Sequence, residues 1–156
     1  MFCSARVNRN TADLPNLTLK TLQRKALDTE LIQPANFKIL PCQGCNHQCL
    51  YHKERDCPIK DDDVPKIWEK LNAANAVIFG VPMYSRTIPS LLKILFEGSQ
   101  ALAPQERPKQ PQITGVIILG SYGHLDVLAA LAPSVMCYPI LKTRGIRDCN
   151  RLGKSN

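Results

Sequence analysis

The sequence predicts an α/β domain built on a parallel sheet covered on both faces. Three short apolar runs rich in β-branched residues, Phe37–Leu40, Ala76–Val81 and Ile113–Leu119, are apolar on alternate and intervening positions alike, and each is followed by a polar or glycine-containing turn. That is the signature of strands buried on both faces. Helical patterns lie between the runs, and strands alternating with helices argue a parallel sheet. At 156 residues the chain fits one domain spanning 1–156, large enough to bury a core without disulfides.

The first helical pattern covers Leu17 to Leu27 and is entered through Thr11 or Asp13. The second runs from Asp61 to Ala74, with Asp62 or Asp63 as N-cap, Pro65 in the first turn, and Val64, Ile67, Trp68 and Leu71 at helical spacing. Trp68 on that stripe reads as core. The third spans Ile88 to Leu102, with Pro89 near its start and Leu91, Leu92, Ile94, Leu95 and Phe96 facing inward. A fourth covers Leu125 to Leu131. Residues 101–112 hold three prolines and read as a surface connection, and residues 140–156, basic and polar, as a loosely held tail.

Lys and Arg number 20 against 13 Asp and Glu, a net charge of +7. The basic residues are scattered along the chain without interleaved aromatics, so a nucleic-acid groove is a poor fit and a basic surface with a local phosphate site a better one. Seven cysteines, an odd number, with no signal-peptide pattern at the amino end predict a reducing, cytoplasmic setting. No apolar run approaches the ~18 residues a membrane span needs.

Four of those cysteines, Cys42, Cys45, Cys49 and Cys57, fall within sixteen residues in PCQGCNHQCLYHKERDCPIKDDD. Thiols this close in sequence are able to meet at one point. Their spacing leaves a [4Fe–4S] cluster, an unmetallated loop and a zinc site open. His47 and His52 inside the loop read as solvated side chains, and Cys3, Cys137 and Cys149 have no spacing partner.

In an open parallel sheet, ligands bind beyond the carboxyl ends of the strands. The residues there are Pro82, Met83, Tyr84 and Ser85 after one run, and Gly120, Ser121, Tyr122 and His124 after another. Near the chain start, CSARVNRNT supplies Ser4, Arg6, Asn8, Asn10 and Thr11 ahead of a helix, whose first N–H groups and partial positive charge suit a phosphate. Taken singly, each stretch also reads as a polar loop, a helix cap or a pair of surface residues, and His124 reads best as a surface residue.

Together these stretches resemble a known family. SARVNRNT is similar to the phosphate loop of the flavodoxin-like NAD(P)H-dependent FMN reductases, G-S-x-R-x-x-S/G-N-T, and FGVPMYSRTIPSLLKILFE is similar to their second flavin loop, P-x-Y-x-x-x-x-P, with a helix carrying Lys93. The cysteine run resembles the compact motif of the iron-sulfur flavoprotein branch. The similarity extends from Cys3 to about His124. It implies a flavodoxin-like three-layer sandwich that binds FMN non-covalently. Ser4, Arg6, Asn8, Asn10 and Thr11 would hold the phosphate, Pro82, Met83, Tyr84 and Ser85 would line one side of the flavin, and Gly120, Ser121 and Tyr122 would approach the other. No side chain need be a catalytic acid or base. The implied activity is an oxidoreductase served by NAD(P)H or, through a [4Fe–4S] cluster on Cys42, Cys45, Cys49 and Cys57, by a protein or small-molecule electron partner, in a homodimer. The rival is a non-enzymatic zinc-binding or interaction domain built on the same four cysteines.

The sequence departs from the family pattern in three places. Three residues, Asn46 to Gln48, separate the second and third cysteines where the family usually has two. Glu97 and Gly98 stand where it usually has Asp-Arg. The chain begins at Met1, two residues before Cys3 and the phosphate loop, so the family's first, central strand is missing or a stub. The expectation is that the given start lies downstream of the natural one, or that the sequence is a fragment.

Overall fold

The computed structural model describes residues 1–5, 13–51, 57–102 and 113–136. Within them run α1 (Asp13–Gln23), the one-turn α2 (Gln48–Tyr51), α3 (Val64–Ala73), β1 (Ala76–Pro82), α4 (Ser90–Gly98), β2 (Ile113–Leu119) and α5 (His124–Met136). Most of the connection over 101–112 and the whole 140–156 tail lie outside the described residues.

β1 and β2 pair in parallel from Ala76 opposite Ile113 to Pro82 opposite Leu119. Because the two strands point the same way and end level, the loops that follow them leave from one rim of the sheet. The missing first strand is present as a stub. The Met1 ammonium donates to the Ile78 carbonyl at 2.7 Å, Gly80 N–H to Met1 O at 2.9 Å, and Cys3 N–H to Gly80 O at 2.9 Å. On the stub's other side Phe2 N–H donates to Ile32 O at 2.8 Å. Residues 1–3 therefore lie between β1 and the segment at Ile32, with backbone groups paired on both sides, as buried groups require. Glycine at position 80 makes this approach possible: a Cβ there would stand 2.7 Å from Cδ2 of the Phe2 ring.

One face of the sheet carries Val77, Phe79 and Val81 into a single core with Val64, Ile67, Trp68 and Leu71 of α3, Leu92, Leu95 and Phe96 of α4, and Val127 and Leu131 of α5. The α3 stripe and, in α4, Leu92, Leu95 and Phe96 are thus buried faces, and Trp68 is core. Leu91 and Ile94 are half-buried, whereas Leu17, Leu27 and Leu125, which the sequence placed in helical patterns, are exposed. Phe79 and Phe96 meet with ring centroids 6.2 Å apart at a 50° tilt. On the opposite face, Ile78, Gly80, Gly115 and Ile117 line a groove of about 840 Å3 whose other wall includes Leu19 and Leu22 of α1. Helices on both faces of a parallel sheet give the expected three layers.

Phe37–Leu40 is not a strand. Its backbone is engaged by one residue at the start of α3: Lys38 N–H donates to Asp63 Oδ2 at 2.9 Å and Asp63 N–H donates to Lys38 O at 2.8 Å. Phe37 and Ile39 still pack against the core, so the apolar signal was packing without a ladder. With Asp63 so occupied, the carboxylate of Asp62 accepts from Val64 N–H at 3.2 Å at the start of α3.

Candidate flavin site at the carboxyl rim of the sheet

Three segments far apart in sequence meet at the rim. The stub delivers Ser4, almost wholly buried, and its hydroxyl lies 3.2 Å from the phenolic oxygen of Tyr84 in the loop after β1. That loop is in turn fastened to the end of β2, since Met83 N–H donates to Leu119 O at 2.7 Å. The Met83 side chain lies against Gly120, where a Cβ would come within 2.9 Å of Met83 Cβ and 3.0 Å of its Cε. Glycine at 120 is therefore a space requirement.

The loop after β1 is held in a costly shape. Tyr84 and Thr87 exchange both backbone hydrogen bonds, at 3.1 and 3.0 Å, around Ser85 and Arg86, whose φ angles are +48° and +63°. Two consecutive non-glycine residues in the left-handed region each cost about 1–3 kcal/mol, and such strain concentrates at ligand sites. Past the turn, Ile88 and Pro89 are buried and α4 begins at Ser90.

Of the residues expected at the site, Ser4, Pro82, Met83, Tyr84 and Gly120 come together at this rim. Ser85 lies exposed in the strained turn, and Ser121 and Tyr122 are exposed beside Gly120. Arg6, Asn8, Asn10 and Thr11 lie outside the described residues, which resume at the start of α1. His124 is half-buried, with Nε2 3.0 Å from the Gly120 carbonyl, so it braces the loop after β2 where the sequence pointed to a free surface residue. Sequence reasoning missed Arg86, Gly123 and Asp126. Gly123 takes φ +74° at the start of α5, and Arg86 pairs with Asp126 in that helix's first turn, Nη2 to Oδ2 3.3 Å. A cation directly after two candidate flavin residues was the available signal for Arg86.

The cysteine loop is folded by a left-handed turn at Gly44, φ +70°, whose N–H points at Cys42 Sγ, 3.5 Å away. Cys42, Cys45, Cys49 and Cys57 are all free thiols. Burial, then the neighbouring Cys45, Cys42 and Cys57, raise the pKa of the Cys49 thiol. The four sulfurs do not close on a single point: among the described residues, no three His, Cys, Asp or Glu side chains form a metal-ligand group. Four thiols on one short stretch are the donor chemistry an iron centre or zinc would take as thiolates.

A profile of the NADPH-dependent FMN reductase family matches residues 1–141. The chain belongs to this family. Among curated family relatives, an iron-sulfur flavoprotein of Methanocaldococcus jannaschii is 34% identical over 99 residues, covering 64% of this chain and 49% of that protein. An iron-sulfur flavoprotein of Methanosarcina thermophila is 29% identical over 99 residues, 64% of this chain and 50% of that one, and another from Archaeoglobus fulgidus is 30% identical over 92 residues, 59% and 43%. The chain spans about half the length of these relatives. A crystal structure of RosB with a bound intermediate, 8-demethyl-8-formylriboflavin-5'-phosphate, superposes with a TM-score of 0.64 at 13% identity, covering 88% of this chain and 58% of that one. The FMN reductase fold is thus shown, a flavodoxin-like α/β sandwich in which Met1–Cys3 lie along β1.

The residues present fit a flavin. A buried hydroxyl faces the rim from Ser4, the strained turn after β1 borders it, and glycine at 120 lets Met83 pack against the loop after β2. Among the described residues, no helix is long and apolar enough to cross a membrane.

Proposed function

We propose that the chain is the FMN-binding part of an oxidoreductase that passes electrons through its flavin, with NAD(P)H as one electron source. The observation that carries this reading is the convergence of Ser4, Tyr84, Met83 and Gly120 at one rim, residues that the motif resemblance assigns to FMN. Ser4, with Arg6, Asn8, Asn10 and Thr11, holds the phosphate at the start of α1, where free N–H groups and the helix dipole favour an anion. Pro82 to Ser85 form one wall for the ring and Gly120 to Tyr122 the other. FMN supplies the reversible uptake of electrons, and the protein's part is to bind it, orient it and set its electron affinity through the surrounding backbone.

Cys42, Cys45, Cys49 and Cys57 would hold a [4Fe–4S] cluster as thiolates, drawn inward from their present spread. The iron-sulfur flavoproteins among the relatives support that assignment. In a homodimer the cysteine loop of one copy would lie near the flavin of the other, and the free thiols suit a reducing cytoplasm.

Anaerobic purification followed by absorbance, flavin, iron and zinc assays tests the proposal. Yellow protein with one FMN per chain supports it, and a brown shoulder with about four iron atoms per chain adds the cluster. Colourless protein holding one zinc per chain overturns it in favour of a zinc-binding module.

A further inference from the structure

Arg86 is the one basic side chain that the described structure carries into the rim by a strained backbone. Asn-Gly or Asp-Gly commonly fill a two-residue turn with both φ angles positive, whereas here the sequence is Ser-Arg. The conformation sets Arg86 between the two loops that wall the flavin site. Its Cβ lies 3.9 Å from where a Cβ of Gly123 would stand, and Met83 Sδ is 3.0 Å from the same point. The Arg86 side chain is largely exposed, at 69%, and its described ion pair is one 3.3 Å contact with Asp126, itself half open to solvent. A guanidinium has five donors in a planar fork suited to phosphate, and one contact of this length uses little of that capacity. The same corner offers the start of the thirteen-residue helix α5 and the exposed side chains of Tyr122 and Leu125, 62% and 68% accessible, as an apolar platform.

We propose that Arg86, oriented by Asp126, receives a phosphate of the nicotinamide dinucleotide that delivers electrons at this rim, with Tyr122 and Leu125 beneath the adjoining ring. The proposal rests on the flavoprotein reading above. Asp126 has two opposed effects: it fixes the guanidinium, and its negative charge weakens the incoming phosphate. The phosphate is either the pyrophosphate, common to NAD+ and NADP+, or the 2'-phosphate that only NADP+ carries.

The test is calorimetric titration of NADP+ and NAD+ into the FMN-loaded protein and into Arg86→Gln, Arg86→Lys and Asp126→Asn, with FMN affinity measured in parallel. Loss of a charge-assisted phosphate contact should weaken binding by about tenfold in Arg86→Gln. Arg86→Lys should recover part of that loss, and Asp126→Asn should bind several-fold more tightly. Weakening of both dinucleotides assigns the pyrophosphate; weakening of NADP+ alone assigns the 2'-phosphate. Wild-type protein that binds neither, or Arg86→Gln that binds both as wild type does, overturns the proposal while leaving FMN binding intact. Failure to bind FMN at all would instead overturn the flavoprotein reading and this inference with it.

Discussion

The hydroxyl groups of Ser4 and Tyr84 lie 3.2 Å apart although eighty positions separate them in the chain. Their contact joins the segment at residues 1–4 to the loop after β1, the proposed wall of the flavin site. Tyr84→Phe removes the phenolic partner and keeps the ring. FMN should then bind about five- to tenfold more weakly, with a stability loss of about 1 kcal/mol, as for a typical intramolecular hydrogen bond. A double-mutant cycle with Ser4→Ala, read by flavin titration, should show the two effects to be non-additive. Additive effects would mean the hydroxyls act separately.

Much of this arrangement is legible in the sequence. The runs Ala76–Val81 and Ile113–Leu119 are strands because they are apolar on both faces and end in loops that a sheet rim tolerates, and the stripe Val64, Ile67, Trp68, Leu71 is buried because its spacing makes one helical face. Phe37–Leu40 misled because short apolar runs do not reveal where their backbone bonds go. Here Asp63 takes them, a partner twenty-five residues away that no local pattern announces. The partner of the stub, Ile32, sits in a stretch ending in Pro34 with too little periodicity to read as anything. At the site, glycine and proline positions were readable because they answer steric demands. Arg86 and Asp126 were not, since their pairing exists only once two loops share a rim.

Gly80 and Phe2 give a stability prediction. A methyl at position 80 would collide with a fully buried ring, so Gly80→Ala must push Phe2, and with it the stub, away from β1. Overpacking of this kind costs about 1–3 kcal/mol. Urea denaturation should show the loss, and Gly80→Ala combined with Phe2→Leu should recover part of it. An unchanged midpoint for Gly80→Ala would mean that Phe2 does not occupy that space.

The chain's first residues also set a pH dependence. Burial lowers the pKa of the Met1 ammonium from its usual 8.0, so between its folded value and about 8 the unfolded state holds more protons and stability rises with pH. Burial pushes the Cys3 thiol from 9.0 up to about 12, so above pH 9 the folded state holds more protons and stability falls, by at most about 1.4 kcal/mol per pH unit. Denaturation series should therefore show a maximum between pH 8 and 9, and Cys3→Ala should flatten the alkaline limb alone. Adding four apolar residues ahead of Met1 should replace the buried ammonium with an amide, remove the limb below pH 8 and raise stability by about 1–3 kcal/mol. No gain would mean that the stub has no ladder to continue.

The cysteine loop is separable from the flavin rim. Cys45→Ser or Cys49→Ser in protein purified without oxygen should lower bound iron at least fourfold and leave FMN stoichiometry unchanged. Simultaneous loss of flavin would place the thiols in the support of the flavin site. Iron retained by every single Cys→Ser variant would refute a cluster held by these four residues.

The most direct measurement is FMN titration of the wild type and Gly120→Val, followed by quenching of flavin fluorescence, with circular dichroism to check the fold. Gly120 is exposed at the rim, and circular dichroism reports whether the displacement of Met83 stays local. The variant's branched side chain would collide with Met83 and displace that proposed wall of the ring site. One FMN per wild-type chain and a loss of affinity of at least a hundredfold in folded Gly120→Val, about 3 kcal/mol, is the predicted result. Equal FMN affinity in the two proteins, or no binding by the wild type, would contradict a flavin held between Met83, Tyr84 and Gly120.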